Sequence, residues 1–334
     1  MNNAAHPVSF EPIFKPKPWG GARLKELLGK RPPGAGPIGE SWELADMVGN
    51  ESRVASGDCA GMTLSELMCA WGDDLLGGVQ PSHERFPLLI KFLDAARDLS
   101  VQVHPKPTDA KPAADTDIKH EAWYVVAAEP GALIYAGLRD GFAPQQLAAA
   151  ANTPEIVACL RHWPAQPGQC YYLPSGTPHA LGAGLVVAEI QTPSDVTYRL
   201  YDWDRVGLDG RPRTLHIEQA LANIRYDLDY GQLLQCAPAA GQARGVAALV
   251  RCPSFWIDAC ESAVTRRPLP AGRMRIWMIL SGRGRTEQGG ATLPFSTGDT
   301  LLIPAHGPER FVRFEQRCTW LDIVVPQPLK LTNA

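Results

Sequence analysis

No Cys-x-x-Cys pair occurs among the eight cysteines of this 334-residue chain, which lie at 59, 69, 159, 170, 236, 252, 260 and 318. Thiols scattered this way read as separate and reduced, as in a cytoplasmic protein, rather than as a disulfide framework. Long apolar runs are missing too. Ile276-Trp277-Met278-Ile279-Leu280 is among the longest and is the size of a strand, which excludes a membrane helix. Charge of one sign is not in excess: the net charge of -3 and the lack of a long basic run give no case for nucleic acid. The short clusters Arg266-Arg267 and Arg211-Pro212-Arg213 read as solvated loops. From Met1 to Phe10 no basic stretch precedes an apolar one, so no signal peptide is expected.

Turn formers are abundant. Thirty-one glycines and thirty prolines break the chain too often for long helices and favour short strands. Strand candidates are Pro87 to Leu93, Leu99 to His104, Glu121 to Ala127, Ala132 to Tyr135, Leu185 to Gln191 and Thr197 to Trp203. Many short strands between turn signals suggest a sandwich or jelly roll. Helical stretches are few. Thr63 and Glu66 form a capping box before Leu64, Leu67, Met68 and Trp71. Pro144 to Ala151 has helical propensity, and Thr153 is placed as an N-cap before Pro154 at the first helical position. A last helix runs from about Leu215 to Ile224.

A weak internal repeat points to two β domains. Gly168-Gln-Cys-Tyr-Tyr-Leu-Pro174-Ser-Gly176 is echoed by Gly298-Asp-Thr-Leu-Leu-Ile-Pro304-Ala-His306, each a turn glycine, a strand and a proline in one order. The Ala/Gly/Gln-rich stretch from Tyr230 to Gly245 marks the boundary. The expected fold is mainly β, two jelly-roll domains with a small helical subregion. The first spans residues 1-232 with helical insertions near 60-78, 142-163 and 214-228, and the second spans 233-334. The copies differ in chemistry, since Glu309 stands at the offset of His179, so no metal is expected in the second.

The first domain carries a metal-ligand pattern. Alternation on a strand puts Gln102 and His104 on one face. Glu121 opens an apolar strand, and His179 follows the turn Pro174-Ser-Gly176-Thr-Pro178. Imidazole, carboxylate and amide oxygen together suit a divalent ion of the zinc type with an open coordination position. Singly, a histidine beside a proline is more often a turn or core residue. As a set they gain weight, because Gly168 to His179 fits the second cupin signature, Gly-x5-Pro-x-Gly-x-x-His, at every fixed position.

With those residues in hand, the chain resembles the class I mannose-6-phosphate isomerases in their short bacterial form. The matching segments are Lys17-Pro-Trp-Gly-Gly21, Gly39-Glu-Ser-Trp42, Leu88 to Asp94, Leu99-Ser-Val-Gln-Val-His-Pro105, Lys119-His-Glu-Ala-Trp-Tyr124, Glu189 to Asp195 and Tyr198-Arg-Leu-Tyr-Asp-Trp203. The resemblance runs from about residue 17 to 205 and implies one zinc per chain, held by Gln102, His104, Glu121 and His179. It implies interconversion of mannose 6-phosphate and fructose 6-phosphate, with the family's catalytic arginine at Arg199 and its characteristic lysine at Lys119. Lys91 and Ser100 correspond to phosphate-binding residues, and Arg205 sits where related enzymes can carry a further cation.

The chemistry can be weighed without the family. Aldose–ketose isomerisation moves a proton between adjacent carbons through an enediol(ate), so it needs a base, stabilisation of negative oxygen and an open-chain sugar. Arg199 stays charged and suits the enediolate. Glu189 and Lys119 are candidates for the proton, zinc-bound water is a third, and Glu189 is about as well read as a carboxylate that only pairs with Arg199 or Lys119. Lys91, set among apolar residues, is either a ligand cation or an edge-strand snorkel. Two other readings compete: a non-catalytic sugar-phosphate-binding cupin that kept its pocket, and a cupin oxygenase, which would want more histidine than a site containing Gln102. The expected partner is a small sugar phosphate, with no nucleic acid or membrane, and the chain a monomer or homodimer.

Overall fold

Four large antiparallel sheets form two facing pairs in the computed structural model, which describes residues 4–34, 36–81, 84–107, 118–230 and 245–327. In the first pair, a six-stranded sheet runs in the spatial order Cys170–Leu173, Glu121–Ala128, Leu185–Gln191, Leu89–Ala95, Ile38–Leu44 and Ile13–Gly21. Facing it is a five-stranded sheet, Leu160–Pro164, Leu133–Leu138, His179–Leu181, Val101–Val103 and Tyr198–Tyr201. The second pair has a six-stranded sheet built on Arg275–Ser281 and Cys318–Val324, and a four-stranded sheet built on Arg283–Gln288 and Arg310–Phe314. The protein is mainly β with a cupin-type architecture. The amino-terminal strand Val8–Ser9 joins the second pair, with Val8 opposite Leu302 and Ser9 opposite Leu301. The stretch from Tyr230 to Gly245, where the sequence places a boundary, lies outside the described residues apart from its two ends.

Period-2 alternation explains how the two pairs join. Every residue of Leu185–Gln191 is buried, because both faces of this strand are covered. Val186, Ala188 and Ile190 face a seam shared with Ile276, Met278, Leu321 and Ile323 from the second pair. Leu185 and Val187 face inward, with Val101, Val103 and Trp123. Each aliphatic side chain fully buried in that seam contributes about 1.5–3 kcal/mol.

The helix Leu64–Trp71 packs Leu64, Leu67, Met68 and Trp71 into the same seam, and its expected capping box is present. Thr63 Oγ1 accepts from the Glu66 amide at 3.2 Å, and Glu66 Oε2 accepts from the Thr63 amide at 2.7 Å. Two expectations change. Pro154–Cys159 is a 3-10 helix, and Thr153 Oγ1 donates back to the Ala150 carbonyl at 2.8 Å instead of capping it. The arginine-bearing strand stops at Tyr201, because Trp203 and Asp204 take left-handed φ values of 57° and 48° that no strand accommodates. The last helix is Ile217–Asn223.

Candidate metal centre and substrate cavity

Register places the four expected ligands inside the first pair of sheets. His179 lies directly opposite Gln102 across paired strands. His104 follows the end of Val101–Val103, and Glu121 enters from the facing sheet at the start of its strand. Gly176, at φ 84°, makes the turn that delivers His179, and a Cβ there would lie 2.7 Å from Arg225 Cγ. His104, Glu121 and His179 are buried and form, among the described residues, a group able to hold a metal ion.

The donor geometry fits such an ion. His104 Nδ1 bonds the Val196 carbonyl at 2.8 Å, and His179 Nδ1 bonds the Thr177 carbonyl at 2.8 Å. A carbonyl can only accept, so each Nδ1 carries the hydrogen and each Nε2 presents a lone pair. Both Nε2 atoms point at the same carboxylate, 3.4 Å and 3.1 Å from the Glu121 oxygens. Neither Glu121 oxygen receives a well-aligned hydrogen bond although both are buried. Burial alone would raise the Glu121 carboxyl, but Lys119, His104 and His179 hold it well below the ordinary range. His179 moves the other way: burial brings its imidazole down to about 4 against the pull of Glu121, so it stays neutral at physiological pH. The Gln102 amide lies against this group, 3.2 Å from His179 Nε2, and accepts from Ser100 Oγ at 3.0 Å. Turning that amide over gives up its bond to His179 but keeps the one to Ser100, which then accepts from the amide nitrogen, and it sets the amide oxygen beside the His179 Nε2 lone pair as two donors for one cation.

Beside the metal centre, and reaching it through Gln102 and Lys119, lies a cavity of about 100 Å³, lined among others by Lys91, Ser100, Gln102, Lys119, Glu189 and Arg199. Lys119 Nζ is 2.7 Å from Glu121 Oε2 and 3.2 Å from His104 Nε2. Glu189 does not pair with Arg199 or Lys119. Its Oε2 is 2.9 Å from Lys91 Nζ, its direct cross-strand partner, and its Oε1 accepts from Trp123 Nε1 at 2.9 Å. Burial would drive the proton off Lys91, but Glu189, Glu40 and Asp195 more than reverse this and keep it charged. Lys91 also stands over the Trp42 ring at 5.1 Å, so it is a buried cation and not an edge-strand snorkel.

Arg199 lies opposite Gln102 in register and lines the cavity. Its guanidinium donates no hydrogen bond to a described residue, and its Nε is buried without a partner. Arg205 is not among the cavity-lining residues. Its Nε and Nη2 bond Asp202 Oδ1 at 3.0 Å and 2.7 Å, and its Nη1 bonds the Asp98 carbonyl, which spends the guanidinium on structure.

Sequence reading missed several cavity residues. Glu40 belongs to a quoted motif yet received no role. It bridges Lys17 at 2.9 Å and Lys91 at 4.0 Å, and these cations outweigh burial and bring its carboxyl to about 2. Gly39 explains why that motif is glycine-bearing: a Cβ there would meet Lys17 and Trp19 side-chain atoms at 2.6 to 2.8 Å. Arg213, assigned to a solvated loop, lines the cavity instead and pairs with Asp202 at 2.5 Å. The available signal was Asp202 itself, an acidic residue placed among three nearby arginines.

The fold and this centre define a cupin-type protein with one metal-binding sheet pair. The family description "Phosphomannose isomerase type I, catalytic domain" matches residues 8–132. Mannose-6-phosphate isomerase ManA of Bacillus subtilis is 33% identical over 309 residues, covering 89% of this chain and 93% of its own. A crystal structure of the mannose 6-phosphate isomerase from Bacillus subtilis superposes with a TM-score of 0.79 at 29% identity, over 96% of this chain and 99% of that one. A zinc-bound mannose 6-phosphate isomerase shares the fold at a TM-score of 0.76 and 18% identity, over 96% and 100% of the two chains. The chain belongs to the mannose-6-phosphate isomerase family.

Proposed function

We propose that this chain is a zinc-dependent aldose–ketose isomerase that interconverts mannose 6-phosphate and fructose 6-phosphate. The observation that carries this reading is convergence: Gln102, Lys119 and Arg199 line one cavity, and Gln102 and Lys119 also touch the group His104, Glu121 and His179. Gln102, His104, Glu121 and His179 would hold the zinc. Bound there, zinc supplies Lewis-acid polarisation of sugar oxygens without redox chemistry.

The chain's own residues supply the rest. Arg199 presents unspent guanidinium donors to the cavity and stabilises the developing enediolate. Two side chains are placed to carry the proton, Glu189 and Lys119. Glu189 is a carboxylate with two bonds made to Trp123 and Lys91, which leaves acceptor capacity on both oxygens. Lys119 is shared between Glu121 and His104. Solvent-hydrogen exchange into substrate separates them: the variant of the true carrier loses exchange, and the other keeps it. Ser100 fixes the Gln102 amide, and Lys91 contributes a charge-compensated polar contact for the sugar.

The division at residues 1-232 and 233-334 remains our reading of two β domains, the first bearing the metal. No helix among the described residues is long and apolar enough to cross a membrane. We expect a cytoplasmic site of action, readable by cell fractionation. We expect a monomer or homodimer, readable by light scattering.

The function is tested by stripping the protein with a chelator and restoring zinc. Turnover of mannose 6-phosphate must vanish and return. Metal-replete protein that binds the sugar phosphate without turning it over would defeat the reading and leave a binding protein.

A further inference from the structure

We infer that Arg213, which lies beyond the segments that carry the family resemblance, is a substrate-binding residue: beside Arg199, its free guanidinium N–H group receives the phosphoryl group. This rests on the sugar-phosphate reading above.

Charge is unevenly distributed along the cavity wall. At one end, two lysines face two carboxylates: Lys17 with Glu40 at 2.9 Å, and Lys91 with Glu189 at 2.9 Å. That end is neutral, and a dianion placed there would add its charge to two buried carboxylates. Lys119 is likewise committed, at 2.7 Å from Glu121. The opposite end is different. Arg199, Arg205 and Arg213 gather around Asp202, which lies 2.7 Å from Arg205 Nη2 and 2.5 Å from Arg213 Nη2. Even with Asp195, which also lines the cavity, three guanidiniums face two carboxylates. Among the side chains of the described cavity residues, the excess of positive charge lies here.

The unspent donors point the same way. Arg205 exhausts its guanidinium on Asp202 and the Asp98 carbonyl. Arg213 uses Nε and Nη2 on Asp202, at 2.7 Å and 2.5 Å, and among the described residues its Nη1 has no partner. Arg199 has no hydrogen-bond partner for its guanidinium among those residues. Of the three, Arg199 and Arg213 are the ones that line the cavity. A planar fork with a free N–H group in a net positive surround matches the charge of a phosphate monoester, and Arg199 is left to the enediolate.

The local fold holds Arg213 ready. Gly207 donates to the Arg211 carbonyl at 2.7 Å, and Val206 bridges Pro212, so the chain doubles back and returns Arg213 beside Asp202. The two-point contact with Asp202 then fixes the guanidinium plane before substrate arrives. Asp202 and Arg205 are positioning residues for it. Lys91 accordingly supports the sugar, while the phosphate charge is met by Arg213.

The test uses the zinc-loaded protein with Arg213→Ala and Arg213→Lys. We expect Arg213→Ala to raise KM for mannose 6-phosphate about 10- to 100-fold and to weaken binding of inorganic phosphate to the same extent, with kcat within about threefold. Arg213→Lys, which keeps the charge and loses the fork, should fall between the two. Unchanged KM and phosphate binding in Arg213→Ala would overturn the inference. So would a fall in kcat alone that Arg213→Lys does not relieve, which marks a structural role. Absence of mannose 6-phosphate turnover in the unsubstituted protein would instead defeat the isomerase reading itself.

Discussion

The two sheet pairs share an architecture and differ in what fills them. Inside the first sit Lys91, Lys119, Glu121, Glu189, His104 and His179, every one buried. Inside the second, Trp277, Phe314 and Trp320 stack, with Phe314 and Trp320 centroids 5.0 Å apart and Trp277 and Trp320 5.1 Å apart. The corresponding turns diverge in the same sense. The first delivers His179 into the interior. In the second, Glu309 is exposed, and the neighbouring Arg310 turns inward to bond the carbonyls of Pro304, Ala305, His306 and Pro270. The difference shows how a repeated scaffold separates tasks. Apolar packing in the second pair supports the shared seam, and the first carries a polar interior in which most charges are matched to a partner or turned toward the cavity.

That contrast can be broken from either side. The largest effect belongs to Glu121→Gln, which removes the charge both imidazoles face. Turnover should fall by about 10⁴-fold together with bound metal, read by elemental analysis beside kinetics, since a lost ligand removes the Lewis acid. Wild-type metal content in that variant would move the metal elsewhere. Next comes Trp320→Ala in the second pair. Deleting a fully packed indole should cost about 4 kcal/mol in denaturant unfolding, while kcat per folded molecule stays within about twofold. A proportionate loss of kcat would mean that the second interior takes part in the chemistry.

Lys91→Met is smaller. It strands Glu189 and Glu40 without their shared cation, at a cost of about 3 kcal/mol. The double variant Lys91→Met with Glu189→Gln should recover part of that loss, and no recovery would show that the pair is not coupled. The smallest effect is Ser100→Ala. Without the hydroxyl that orients Gln102, zinc affinity should weaken about tenfold, measured by competition with a chelating dye. An unchanged affinity would mean that Gln102 is oriented by something other than Ser100.

The grouping of His104, Glu121 and His179, with Gln102 beside them, was readable from sequence because each sits in a local pattern. Strand alternation pairs Gln102 with His104, a strand start exposes Glu121, and a turn signature delivers His179. Cross-strand pairing leaves no such trace. That Glu189 would meet Lys91 instead of Arg199 follows from the register of two strands nearly a hundred residues apart, and nothing within either strand announces it. Arg213 was hidden for a related reason. A Pro-flanked arginine pair looks like solvated loop until the chain reversal at Gly207 brings it against Asp202. Arg205 erred the other way, since its position matched a family cation while its guanidinium is consumed by Asp202 and Asp98. The end of the arginine strand at Tyr201 was likewise invisible, because the left-handed turn at Trp203 is set by packing and not by residue type. The indole there donates to the Leu99 carbonyl at 2.7 Å.

The position of the metal is the central point to measure. Anomalous diffraction at the zinc edge, from crystals of the zinc-loaded protein, should give one strong peak per chain within bonding distance of His104 Nε2, His179 Nε2, a Glu121 oxygen and the Gln102 amide oxygen. No peak there, or one of equal strength inside the second pair of sheets, would contradict it.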